Sequence, residues 1–306
     1  MRLVIGIFAL LLSFPVLAQQ CTTTVLASFY DQLTKDEIET LKPGDLEIKI
    51  DGKKLPVLSA SRDFNNRLLI LLETEGSGKN DKLADLVATV TQQARTAPEG
   101  KPVAFGVFAE KATFTKGFFS EQEMRTAAIN EVIEGAPPLG KRVTLWDALH
   151  EALALFGPHQ PGDTILLVGD PYDDASHRSP ESVEKEFIVN QTRLFMMRRT
   201  EGSRVERDFM WQSHDLEKMV LARTTEETGG LLSLYVASLI RFAWAGYMLE
   251  IKLPPGMGRP HKWKVGFRGD AAQTHRKTNF YYPARFPACE RADGPLKKES
   301  AHKDAS

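Results

Sequence analysis

The chain predicts a doubly wound, mainly parallel α/β sheet of Rossmann-like kind with small β segments at both ends. Apolar runs at 68–72, 103–108, 164–168 and 193–197 are short and nearly uninterrupted, as strands buried on both faces are. Between them lie segments with helical spacing, and strands that alternate with helices require a parallel sheet wound by crossovers. Toward both ends the pattern becomes strand-like without helices, with Leu46-Glu47-Ile48-Lys49-Ile50 alternating strictly.

The elements follow in order. Residues 25–61 read as short strands: 46–50, the turn Asp51-Gly52-Lys53-Lys54, and 57–60 as the returning arm. Strand 68–72 leads to a helix over 81–95, whose Leu83, Leu86, Val87, Val90 and Ala94 share one face. Strands at 103–108 and 112–115 precede a helix over 121–133, begun by Ser120. A helix over 145–156 is closed by Gly157-Pro158, strand 164–168 follows, and 183–190 is helical. Strand 193–197, a helix over 216–228 stopped by Gly229-Gly230, and a last strand at 231–235 complete the sheet. Residues 247–253 and 263–267 read as two strands around the long turn 254–258, with Trp244, Trp263, Phe280, Tyr281 and Tyr282 packing this hairpin on the main domain. The expected organisation is a signal peptide at 1–18, an N-terminal β segment at 19–62, the α/β domain at 63–243, a C-terminal β hairpin segment at 244–290 and a charged, disordered tail at 291–306.

Composition narrows the partners. Lys and Arg total 39 against 40 Asp and Glu, a formal net charge of -1, so no overall field draws nucleic acid or an anionic membrane. Met1-Arg2, the apolar run 3–12 and the small-residue end at Ala18 form an export signal cleaved after Ala18, and no later run is long enough to span a bilayer. Export, periplasmic or fully secreted, is the expected fate. Gln19 and Gln20 before Cys21 argue against a lipid anchor there. Cys21 and Cys289 are the two cysteines; in an oxidising compartment they either pair and tie the termini together or stay as free thiols.

Three loops concentrate hydroxyls and carboxylates. Glu73-Thr74-Glu75-Gly76-Ser77 follows the first sheet strand, Thr144 precedes the helix at 145, and Gly169-Asp170-Pro171-Tyr172-Asp173-Asp174 follows strand 164–168. In open α/β sheets ligands sit beyond the carboxyl ends of the strands, and oxygen donors converging there suit a hard cation such as Mg²⁺. Each residue also has a plainer role: Thr144 as a helix N-cap, Asp170 as a turn cap, Asp173 and Asp174 as solvated loop acids. Gly76-Ser77-Gly78-Lys79 is similar to the tail of a phosphate-binding loop, but Glu73 stands at its first glycine and Asn80 at its hydroxyl position. Ser77 lacks a Gly-x-Ser-x-Gly elbow, and His150, His159 and His214 show no metal-ligand spacing.

Taken together these loops resemble the von Willebrand factor type A domain, and more narrowly the exported acidobacterial proteins that carry a related domain. That family's metal ion-dependent adhesion site combines an Asp-x-Ser-x-Ser loop, a distant Thr and a distant Asp. The matching positions are Glu73, Glu75 and Ser77, then Thr144, then Asp170. The run Glu226-Glu227-Thr228-Gly229-Gly230, the segment 46–61 and the region 247–282 share the resemblance, which spans roughly 25–285. Glu73 replaces the first Asp and Glu75 the first Ser, so the site is a degenerate one. Longer acids cannot hold Mg²⁺ at about 2.1 Å without moving ion or loop; they favour a larger Ca²⁺ or leave the acids solvated.

The resemblance implies a non-enzymatic, adhesion-like module that docks a protein partner on the strand-end face 73–80, 143–146 and 170–174, with Mg²⁺ or Ca²⁺ as the cation if one is held. A secreted hydrolase or nucleotide-dependent enzyme using the same sheet-edge cleft is the alternative; it needs a deep pocket with convergent acid, base or nucleophile.

Overall fold

The computed structural model describes residues 21–34, 36–74, 81–135, 142–170, 172–198, 216–233, 236–254 and 261–286. The expected signal peptide at 1–18, Glu75, Ser77, the glycine-lysine loop at 76–79, Cys289 and the tail lie outside the described residues, as does the side chain of Cys21.

The chain opens with β1 (Cys21–Asp31), β2 (Leu46–Ile50), β3 (Lys53–Leu55) and β4 (Val57–Ser61). The α/β unit then runs β5 (Leu68–Glu73), α1 (Asp81–Arg95), β6 (Val103–Phe108), β7 (Ala112–Phe114), α2 (Gln122–Glu134), α3 (Leu145–Leu155), β8 (Thr164–Gly169), α4 (Pro180–Asn190), β9 (Arg193–Arg198), α5 (Leu216–Glu227), β10 (Leu232–Ser233) and α6 (Val236–Ala243). Last come β11 (Tyr247–Leu253), β12 (His261–Phe267), α7 (Gly269–Thr274), β13 (Thr278–Tyr281) and β14 (Arg285–Phe286).

The central sheet has the order β10-β9-β8-β5-β6-β7 and is parallel apart from β7, which returns antiparallel to β6. Every residue of β5, β6 and β8 is buried, which is why their sequences are apolar runs and not alternations. Leu69 and Leu71 face α3, α4 and α5 through Leu149, Phe187 and Leu221. Leu68, Ile70 and Leu72 face α1, α2 and α6 through Val90, Ile129 and Leu239. The sheet is therefore doubly wound. From β5 the chain moves to β6 on one side, and from β8 to β9 on the other, so the strand order reverses between β5 and β8.

Strands from the two ends of the described chain interleave in two four-stranded sheets, β13-β1-β11-β4 and β14-β12-β2-β3. Val25, Ala27 and Phe29 of β1 and Leu249, Ile251 and Leu253 of β11 meet Leu46, Ile48 and Ile50 of β2 and Trp263 of β12 in one core. This is a β-sandwich into which the α/β unit is inserted between β4 and β11.

Several expectations change here. The return arm of β2 is β3, set by a tight Asp51-Gly52 turn with φ of 49° and 78°. Residues 57–61 instead cross at Pro56 to pair with β11 in the other sheet. Strands β11 and β12 are not a hairpin: both point apolar side chains at the same core from opposite sheets, so they oppose each other and do not pair. Trp263 and Tyr282 accordingly pack in the sandwich, Trp244 packs under the central sheet, and Tyr281 lies on Tyr30 and Phe242 at the junction. Helix α2 has Glu121, not Ser120, as its N-cap. Helix α4 starts a turn earlier than expected, with Ser179 capping Ser182 N–H and Pro180 at its first position. Helix α6 occupies residues read as following directly on a strand, and the described part of that strand is Leu232–Ser233 alone.

Candidate functional site

The candidate site lies at the carboxyl ends of β5, β6 and β8, where the strand order reverses. Strand β5 ends in Glu73, whose backbone pairs with Phe108 of β6. Its side chain turns the other way. Only 2% exposed, it reaches across to β8, where Oε2 accepts the Asp170 N–H at 2.6 Å. Gly169 makes room for it, because a Cβ there would lie 2.5 Å from Glu73 Oε2 and 2.8 Å from Glu73 Cβ. The carboxylate thus fills the crevice between β5 and β8.

Thr144 is attached to the third strand end. Its N–H donates to Ala109 O at 2.9 Å, and its hydroxyl donates to Ala109 O at 3.1 Å and Glu110 O at 3.3 Å. It stands at the N-cap position of α3 but its side chain does not cap the helix. The capping comes from the loop after β8. Asp173 Oδ1 accepts Leu145 N–H at 2.7 Å, Ser176 Oγ accepts Trp146 and Asp147 N–H at 3.0 and 3.1 Å, and Asp174 Oδ1 accepts Val143 N–H at 2.8 Å. The Ser176 hydroxyl proton goes to Asp173 Oδ1 at 2.5 Å. Two acids at a helix N-terminus also suit its dipole. Asp173 and Asp174 therefore hold the start of α3 against the loop, Asp173 half-buried and Asp174 exposed to solvent as a loop acid is expected to be.

Asp147 completes the clamp from the helix side, accepting the N–H groups of His177 and Arg178, both at 2.9 Å, and the His177 ring at 3.1 Å. Burial alone would raise its pKa, yet the hydrogen bonds from His177 and Arg178 outweigh burial and hold it below the ordinary aspartate value. A carboxyl held low contributes stability that is complete above its unfolded pKa of about 3.9 and is lost as pH falls through the lower folded value. Urea unfolding of the wild type and of Asp147→Asn should therefore show the wild type more stable near neutrality, with the gap closing below about pH 4. A gap independent of pH would remove Asp147 from this role.

Of the five predicted ligands, the structure brings Glu73, Thr144 and Asp170 to one sheet edge; Glu75 and Ser77 fall outside the described residues. Among the described residues no cluster of three or more His, Cys, Asp or Glu is placed to hold a metal ion. Sequence reasoning missed Gly169, Ser176 and Asp147. Ser176 and Asp147 carried a signal, as a hydroxyl three residues past Asp173 and an acid in the first turn of α3.

Fold and site together define a doubly wound α/β unit with a braced strand-end rim, carried on a β-sandwich. No protein family model matches the chain, and no curated protein matches it. Among solved structures it is similar to a von Willebrand factor type A protein from Catenulispora acidiphila, at TM-score 0.44 and 12% identity over 82% of this chain and 71% of that one. The ArnB paralog VWA2 from Sulfolobus acidocaldarius aligns at TM-score 0.42 and 11% identity over 87% and 76%. Proximal thread matrix protein 1 from the mussel byssus, with a zinc-occupied MIDAS motif, aligns at 0.45 and 16% over 69% and 50%. With likenesses this remote, function has to be argued from the residues of this chain.

Proposed function

We propose that this chain is an exported, non-enzymatic interaction module related to von Willebrand factor type A domains, and that it docks a protein partner on the strand-end rim. One observation supports this above others: three acids of the rim are spent on backbone N–H groups that join its loops, Glu73 on Asp170, Asp173 on Leu145 and Asp174 on Val143. Groups engaged in this way build a surface; an acid or base that must exchange protons with a substrate needs to reach it. Tyr172 is 51% exposed on that rim, an aromatic of the kind that anchors protein interfaces. Among the described residues no helix is long and apolar enough to cross a membrane.

A photo-crosslinking side chain at position 172 tests the docking face, with position 33 as control because Leu33 is 73% exposed on the turn after β1. In the native envelope, position 172 should trap a discrete protein adduct that position 33 does not. Equal adducts from both positions, or none from position 172, would refute docking at the rim.

A further inference from the structure

We infer that the Glu73 carboxylate itself bridges the ends of β5 and β8, so that the rim is assembled by direct hydrogen bonds and holds together without a divalent cation. Among the described donors, the Glu73 carboxylate is not presented to a resident ion. A cation at this edge needs carboxylate oxygens turned outward with room for retained waters. Glu73 is instead 2% exposed and aimed along the sheet, at hydrogen-bond distance from the N–H that follows Gly169. The Thr144 hydroxyl sends its proton to the Ala109 and Glu110 carbonyls. Asp173 accepts from Leu145 N–H at the start of α3 and Asp174 from Val143 N–H just before it, so both are engaged by backbone.

The pieces are matched to each other. The longer reach of a glutamate carries the carboxylate past the end of its own strand to the neighbouring one, and the missing Cβ at position 169 leaves the space it occupies. A charged acceptor on a buried N–H is among the stronger hydrogen bonds available to a fold. The same geometry explains how an acid can sit in the crevice without being displayed to ligands.

This inference rests on the strand-end reading only for its consequence, that partner capture at position 172 is indifferent to chelator; the bridge itself is tested without any partner. The full chain from Gln19 onward is titrated with Mn²⁺ and followed by electron paramagnetic resonance, and its thermal midpoint is measured with EDTA and with millimolar Mn²⁺, beside Glu73→Gln and Glu73→Leu. The expected result is a free-Mn²⁺ signal undiminished by protein and a wild-type midpoint equal in both conditions. Glu73→Gln should lower the midpoint by roughly 2 °C or more and Glu73→Leu by more, equally with and without Mn²⁺. Stoichiometric Mn²⁺ uptake that raises the wild-type midpoint and is lost in Glu73→Gln would overturn the inference. So would variants as stable as the wild type. Should a variant fail to fold, the wild-type titration alone still decides whether an ion is held.

Discussion

Alanine at position 230 should leave little folded protein. Gly230 follows α5, and its N–H closes that helix on Thr225 O at 2.8 Å. Its open side lies against the backbone of β9: a Cβ would overlap the Leu194 carbonyl oxygen and come within 2.7 Å of the carbonyl carbon. Leu194 is the second residue of a buried parallel strand, hydrogen-bonded in register to β8, so it cannot retreat without opening the sheet. Overpacking in a core costs about 1–3 kcal/mol when side chains can adjust, and backbone atoms adjust less, so a loss of at least about 3 kcal/mol is expected. Gly229 beside it adds a second constraint, with φ at 71° and the backbone of Tyr282 and Pro283 within 2.8 Å of where a Cβ would sit. The control is Gly100→Ala: φ there is 80° but nothing lies within 4 Å, so only the conformational cost of about 1 kcal/mol applies. Soluble yield and thermal midpoint of the two variants check this. Equal behaviour would mean that the close approach of Gly230 to β9 is not a constraint on folding.

Truncating Arg125 is the other change with a large expected effect. Its guanidinium is 1% exposed in the first turns of α2, where the helix dipole disfavours a cation. Four carbonyls compensate: Arg95 O and Ala97 O at and beyond the end of α1, at 3.1 and 2.7 Å, and Lys101 O and Ser120 O at 3.4 and 3.3 Å. One side chain thus closes the C-terminus of α1, the approach to β6 and the entry to α2. Arg125→Ala removes these donors and leaves a cavity, for a loss of about 3 kcal/mol or more; Arg125→Met keeps most of the volume and isolates the donor loss. Denaturant unfolding should rank wild type above Met above Ala. Indifference to both substitutions would show that water serves those carbonyls equally well.

The central sheet was legible because burial on both faces writes itself into sequence. The apolar runs at 68–72 and 103–108 end where β5 and β6 end, give or take Glu73, and the helical spacing of Leu86, Val87, Val90 and Ala94 places α1. The sandwich was less legible, since alternation says which face of a strand is buried but not which strand lies beside it or opposite it. That is why 247–253 and 263–267 read as a hairpin although they face each other across a core. Helix α6 carried a signal in Val236, Leu239, Ile240 and Ala243, spaced for one helical face, but eight residues are too few to stand out beside a strand-like run.

At the site, the strand-end position of Glu73, Thr144 and Asp170 follows from sequence pattern, and their directions do not. Whether the Glu73 carboxylate faces solvent or its neighbouring strand depends on a glycine far along the chain and an N–H 97 residues away. No local pattern carries that information. Likewise Thr144 reads as an N-cap, yet the cap is supplied by Asp173 and Ser176 from another loop, which frees its hydroxyl to fasten the helix start to the end of β6.

The most direct measurement is a crystal structure of the chain from Gln19 onward grown in millimolar Mn²⁺, with anomalous differences recorded above the manganese edge. A rim braced by its own carboxylate predicts Glu73 Oε2 within hydrogen-bond distance of Asp170 N and no anomalous peak between β5 and β8. A manganese peak at that edge, with the Glu73 carboxylate swung away from the Asp170 N–H to ligate it, would contradict the account.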